Sequence, residues 1–77
     1  MNVGTIIKAY DFPGNDTCYF VGSVVEINNG MITARIIKQV FDGKDVSSKY
    51  NPEDTFRTPV QGSSFMDDKF QRVVEIG

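Results

Sequence analysis

Apolar and polar residues alternate along most of this chain, and the alternation breaks at clusters of Gly, Pro, Asn and Asp. A period of two bounded by turn residues is the mark of β-strands with one face turned inward. The clearest case is residues 18–41, where CYFVGSVVEI and MITARIIKQVF flank Asn28-Asn29-Gly30. Asn and Gly tolerate positive φ, which a two-residue hairpin turn requires. This stretch is predicted to be one long hairpin onto which the remaining strands close.

Residues 3–10 (VGTIIKAY) form the expected first strand, with Val3, Thr5, Ile7 and Ala9 on one face and Gly4, Ile6, Lys8 and Tyr10 on the other. A polar loop follows over 11–17, carried by Pro13-Gly14 and Asn15-Asp16. In 18–27, Phe20, Gly22 and Val24 share one face; Tyr19, Val21, Ser23, Val25 and Ile27 share the other. Gly22 in mid-strand marks a bend or a close backbone approach. In 31–41, Ile32, Ala34, Ile36 and Val40 fall together, and Lys38 interrupts that set. A strand of this length bends and can serve both halves of a barrel. Asp42-Gly43-Lys44-Asp45 is a second turn signal. Residues 47–55 are polar, contain Pro52 and show no period, which predicts an exposed, mobile loop. A fourth strand is expected over 56–61, with Pro59 marking an edge, then one helical turn over 62–68 and a last strand over 69–76. Five strands and no long helix predict an all-β fold, a small, strongly bent five-stranded barrel occupying residues 1–77 as a single domain.

Size changes this picture in one respect. A chain of 77 residues buries only ~60% of its unfolded surface, so its core is marginal. Such folds add disulfides, a metal or a partner chain. Cys18 is the one cysteine and there is no His, which excludes an internal disulfide and a zinc site and leaves self-association. A homo-oligomer is therefore expected, and no cofactor. The opening MNVGTIIKAY lacks the basic flank and apolar core of a signal peptide, and no run is long enough to span a membrane. With one unpaired thiol, a cytoplasmic location is expected. The formal charge of −2 disfavours wholesale phosphate binding, so any nucleic-acid site must be a local basic patch on an acidic body.

Enzyme chemistry finds little footing, and the chain is expected not to be an enzyme. Cys18 has no His to deprotonate it, and a buried, inert strand cysteine is the simpler reading. Glu53-Asp54 and Asp67-Asp68 are adjacent carboxylates of the kind loops leave solvated. A binding surface has better support. Lys8, Arg35, Lys38, Lys69 and Arg72 lie on strands, and no acid stands between Ile27 and Phe41. Tyr10, Tyr19 and Phe20 are expected beside these cations. Aromatics next to cations stack and neutralise single-stranded nucleic acid. Lys8, Arg35, Lys38 and Arg72 are the candidate phosphate ligands, Tyr19 the stacking residue, and Asn28 and Asn29 a polar rim.

The stretch VGTIIKAYDFPGNDTCYFVGSVVEI followed by NNG and MITARII resembles small marine, cyanophage-type proteins with an Sm-like fold. That resemblance covers nearly the whole chain and rests on strand layout. It implies a ring of five to seven identical subunits joined through their edge strands, binding RNA or single-stranded DNA in phage nucleic-acid processing, in the host cytoplasm if phage-encoded. The family's Asp-x-x-x-Asn loop is replaced here by Asn28-Asn29-Gly30, and its Arg-Gly loop is absent. The chain is also similar to Tudor/SH3-like modules: Gly4, Ile7 and Ala9, then Tyr19, Phe20, Gly22 and Val24, match their opening pattern. This second resemblance implies a protein-interaction module that holds a peptide through Tyr10, Tyr19 and Phe20. A virion or scaffold component is a third expectation.

Overall fold

The predicted turn is present: Asn29 and Gly30 sit at φ 52° and 77°, both in the left-handed region that a tight hairpin needs. They join β2 (Asn15–Asn28) to β3 (Met31–Phe41), antiparallel over nearly their whole length. The computed structural model describes residues 1–12, 15–60 and 72–77. β1 (Ile6–Phe12) pairs with the free side of β2, and β6 (Val73–Glu75) pairs with β1. The other edge of β3 is shared. β4 (Lys44–Asp45) takes its C-terminal end and β5 (Thr55–Pro59) its first half. The six strands form one antiparallel sheet. Among the described residues it does not close, because β5 pairs only with β3 and β6 only with β1.

The inner face follows the alternation. Ile7 and Ala9 of β1, Val24 of β2, Ile32 and Ala34 of β3 and Val73 of β6 form the buried cluster, with Phe56 of β5 packed against it. Each fully buried Ile or Val contributes ~1.5–3 kcal/mol relative to exposure, so Ile7, Ile32 and Val24 anchor the sheet. Gly22 is inward as well. A Cβ there would lie 2.6 Å from the Phe56 ring and 2.8 Å from the Arg35 carbonyl oxygen, so the absent side chain is what lets Phe56 lie flat across β2.

Two bulges change the phase of the strands. Val21 faces Lys38 while Gly22 faces Ile36, leaving Ile37 as an extra residue on β3; Val25 is the extra residue on β2. Beyond Ile37 the inward position passes to Gln39, opposite Phe20, and Val40 faces Tyr19 on the other side. The expectation that Val40 shares the face of Ile36 is corrected by this one-residue insertion, and Lys38 is its trace in the sequence. Val40 is nonetheless buried.

Other boundaries move too. Residues 3–5 precede the first strand, because Gly4 adopts φ 95°, which breaks an extended run. β1 instead extends to Phe12 and β2 begins at Asn15, which shortens the expected loop to residues 13–14, outside the described residues. The stretch 47–55 is pinned rather than loose. A 3-10 turn (Ser47–Lys49) is followed by Tyr50, whose hydroxyl donates to Gln39 Oε1 at 2.7 Å, and the Ser47 hydroxyl accepts from the Gln39 N–H at 2.8 Å. Tyr50 and Phe56 both contact the Phe20 ring, at centroid distances of 6.0 and 4.8 Å. The expected helical turn over 62–68 and the first part of the last strand lie outside the described residues. Among the described residues no helix is long and apolar enough to cross a membrane.

Candidate functional site

Residues directly opposite one another in an antiparallel sheet project to the same side, so the register defines what the outer face carries. Tyr10 faces Tyr19, and Tyr19 faces Val40. Arg72 extends this row, its carbonyl accepting from the Tyr10 N–H at 2.8 Å. In the next row Val74 faces Lys8, Lys8 faces Val21 and Val21 faces Lys38. A further step brings Ile6, Ser23, Arg35 and Thr55 into line. Glu26, Thr33 and Arg57 make the last row. Successive rows are two residues, about 6–7 Å, apart along a strand, except where the Ile37 and Val25 bulges put a third residue between them.

The fold thus places Lys8, Tyr19, Arg35, Lys38 and Arg72 on one surface, although they come from three strands and the residue before β6. Arg57 joins them. It was not singled out from the sequence, though its signal was present: Phe56 is inward, so its neighbour in β5 must point out. Glu26 and Asp45 are the acids within these rows, Asp45 standing opposite Val40, while Asp11 lies near Arg72 and Glu53 shares a groove with Arg35. Five cations against these four carboxylates, on a chain of net charge −2, leave a local positive excess of the kind the composition requires.

Within the patch, Lys8 Nζ lies 4.1 Å from the Tyr19 ring centroid and 5.1 Å from that of Tyr10. The two rings meet edge to face at 6.1 Å. Each such ammonium–ring contact is worth ~0.5–1 kcal/mol at an exposed site. Arg72 is held differently. Its Nη1 donates to the carbonyls of Tyr10 at 3.1 Å and Asp11 at 3.4 Å, which fixes the guanidinium across the end of β1. Burial pushes the Asp11 carboxyl above its ordinary value, and the nearby Arg72 charge pulls it part of the way back. At the other end of the same row, the hydroxyl and N–H of Ser47 both donate to Asp45 and hold its carboxyl below the usual range.

Three expectations are corrected or separated by this geometry. Phe20 lies on the inner face, stacked on Phe56, so it stands among neither the cations nor the outer tyrosines. A peptide cage of Tyr10, Tyr19 and Phe20 is therefore not formed. Asn28 and Asn29 are exposed at the hairpin tip, nine residues or more along β2 from Tyr19 and about 30 Å away at the rise of an extended strand. They belong to a different end of the sheet. Glu53-Asp54 is no paired site, because Asp54 Oδ2 accepts from the Asn51 N–H at 2.9 Å and closes the loop. Asp67, Asp68 and Lys69 lie outside the described residues, and no cluster of metal-ligating side chains occurs among the described ones. Cys18 is buried, its sulfur accepting from the Asp42 N–H at 3.4 Å.

Beside the patch an open groove of about 480 Å³ is lined by Val25, Arg35, Pro52, Glu53 and Thr55. No protein-family model, curated protein or solved structure matches the chain.

Proposed function

We propose that the protein binds RNA or single-stranded DNA along the outer face of its sheet and does so as a homo-oligomeric ring of Sm-like barrels. The observation that carries this reading is the convergence of Lys8, Arg35, Lys38, Arg72 and Tyr19 on one face. Cations in successive rows of the sheet suit a flexible phosphate chain, and the tyrosine pair supplies a π-face on which a base can stack once Lys8 turns toward a phosphate. The ring rests on the edges. β6 stands at one end of the sheet order, and at the other end β3 carries β4 and, off that path, β5; a β5 edge of one copy meeting a β6 edge of the next would enlarge a marginal core.

The test is binding of labelled oligo-U and oligo-dT to the wild type and to the double variant Arg35→Ala, Lys38→Ala. The expected result is a loss of affinity of tenfold or more and a salt dependence shallower by about two phosphate contacts. Unchanged affinity and slope would refute the interface. Native mass spectrometry of the same samples checks the ring, which a clean monomer would overturn.

A second reading is favoured by the Lys8 contacts. Two tyrosines around an ammonium are what a methyl-lysine reader offers, here occupied by the chain's own lysine. A Tudor/SH3-like module would bind a trimethyl-lysine peptide better after Lys8→Ala and would ignore oligonucleotides.

A further inference from the structure

The groove next to Arg35 contains a residue for which phosphate binding has no use. Glu53 lines it together with Arg35, Thr55 and the apolar side chains of Val25 and Pro52. A carboxylate beside a phosphate track repels the backbone that the neighbouring cations attract. It is suited instead to accept hydrogen bonds from a base edge, which is uncharged and carries N–H donors. Arg35 has the complementary property, a planar fork of donors that fits two adjacent acceptors.

Resting on the nucleic-acid reading above, the geometry points to this groove as a base pocket selective for guanine. Guanine presents O6 and N7 side by side, the pair that an arginine fork takes most often. Its N1–H and 2-amino group, on the adjoining edge, are two donors for one carboxylate. Adenine has no N1–H and no 2-amino group, and uracil and thymine offer a single ring N–H. The groove is open to solvent, so a base can enter it from the sheet surface, and Val25 and Pro52 are the apolar residues its ring can meet. Position along the track agrees. Arg35 stands one row beyond Lys8 and Lys38, so a base entering the groove belongs to the nucleotide next to the phosphate held there.

The experiment compares fluorescein-labelled octamers by anisotropy: dT8, and dT8 with one central dG, dA or deoxyinosine. The dG octamer is expected to bind at least about fivefold more tightly than dT8 and the dA octamer, at the low end of what one bidentate base contact discriminates. Deoxyinosine, which lacks the 2-amino group, should fall between. In Glu53→Gln, confirmed folded by its melting curve, the ratio of dG to dT8 affinity should fall toward one; the ratio, and not either affinity, is read because removing an acid strengthens all phosphate binding. Octamers that all bind equally well, or a guanine preference that survives Glu53→Gln, would overturn the pocket while leaving the interface intact. Binding of no octamer would overturn the interface and the pocket together.

Discussion

Replacing Gly22 by Ala tests the packing that holds the sheet in shape, and the expected sign is opposite to the usual one. In an ordinary strand position Ala is favoured over Gly by ~0.5–1 kcal/mol, because Gly loses more backbone entropy on folding. At Gly22 a Cβ would stand 2.6 Å from the Phe56 ring, 2.8 Å from the Arg35 carbonyl oxygen and 3.0 Å from Ala34 Cβ. The ring can tilt, but the carbonyl belongs to the neighbouring strand and cannot move without opening the β2–β3 ladder. Overpacking of this kind costs about 1–3 kcal/mol. After the entropic gain is set against it, a net loss of about 1–2 kcal/mol remains. For a domain of this size that lowers the melting temperature by roughly 4–16 °C, readable by far-UV circular dichroism and checked by urea titration. Combining Gly22→Ala with Phe56→Leu should lose less than the sum of the single effects, since the smaller side chain relieves one of the close approaches. A Gly22→Ala variant as stable as the wild type, or more so, would refute the argument that Gly22 is there to admit Phe56.

Tyr50→Phe leaves the buried Gln39 Oε1 without its hydroxyl donor and should destabilise the fold by about 1–2 kcal/mol in urea titrations; an effect near zero would mean the loop 47–55 is not held by this bond. Gly30→Ala meets no neighbouring atom but must adopt φ 77°, so its loss of about 1–2 kcal/mol is purely conformational, and Asn at the same site should recover much of it. Two carboxylates should titrate stability in opposite directions. Asp45, held low by Ser47, contributes stability above its unfolded-state pKa that is lost as pH falls through its lower folded value, so Asp45→Asn should flatten the acid limb below about pH 4. Asp11, pushed up by burial, favours the folded state only when protonated, a contribution lost as pH rises through its folded value. Asp11→Asn should therefore leave the protein more stable at pH 7 and remove that gain on acidification. A melting-temperature series from pH 3 to 7 on both variants measures these slopes.

Local chemistry was legible wherever it acted alone. Asn29-Gly30 and Asp42-Gly43 declare their turns through positive φ, and Met31–Phe41 begins and ends between them as expected. Features created by one strand meeting another were harder to read. The Ile37 bulge exists because Val21 and Gly22 are consecutive while their partners are two apart, and a single strand's alternation records this only as a misplaced Lys38. For the same reason Gln39 reads as outward when it is inward. Polar composition made 47–55 look unstructured, yet Tyr50 and Ser47 reaching back to Gln39, with the Asn51–Asp54 turn, fasten it. The outer patch was half visible. Lys8 and Tyr10 share a parity in β1, but only the register between β1, β2 and β3 aligns them with Tyr19, Lys38 and Arg35. Glu53 could not be placed at all, since a loop has no period to assign it a face.

The clasp of Lys8 by Tyr10 and Tyr19 also gives the protein an optical reporter. The chain has no tryptophan and three tyrosines, and the third, Tyr50, is tied to Gln39 on the opposite side of the sheet. Ultraviolet emission from the native protein is therefore divided between one phenol that senses the interior and two that sense the outer surface. A base settling on the Tyr19 ring would quench the surface pair and leave Tyr50 unchanged, whereas unfolding would alter all three. Occupancy and folding can then be separated in one unlabelled cuvette, with Tyr50→Phe isolating the surface signal.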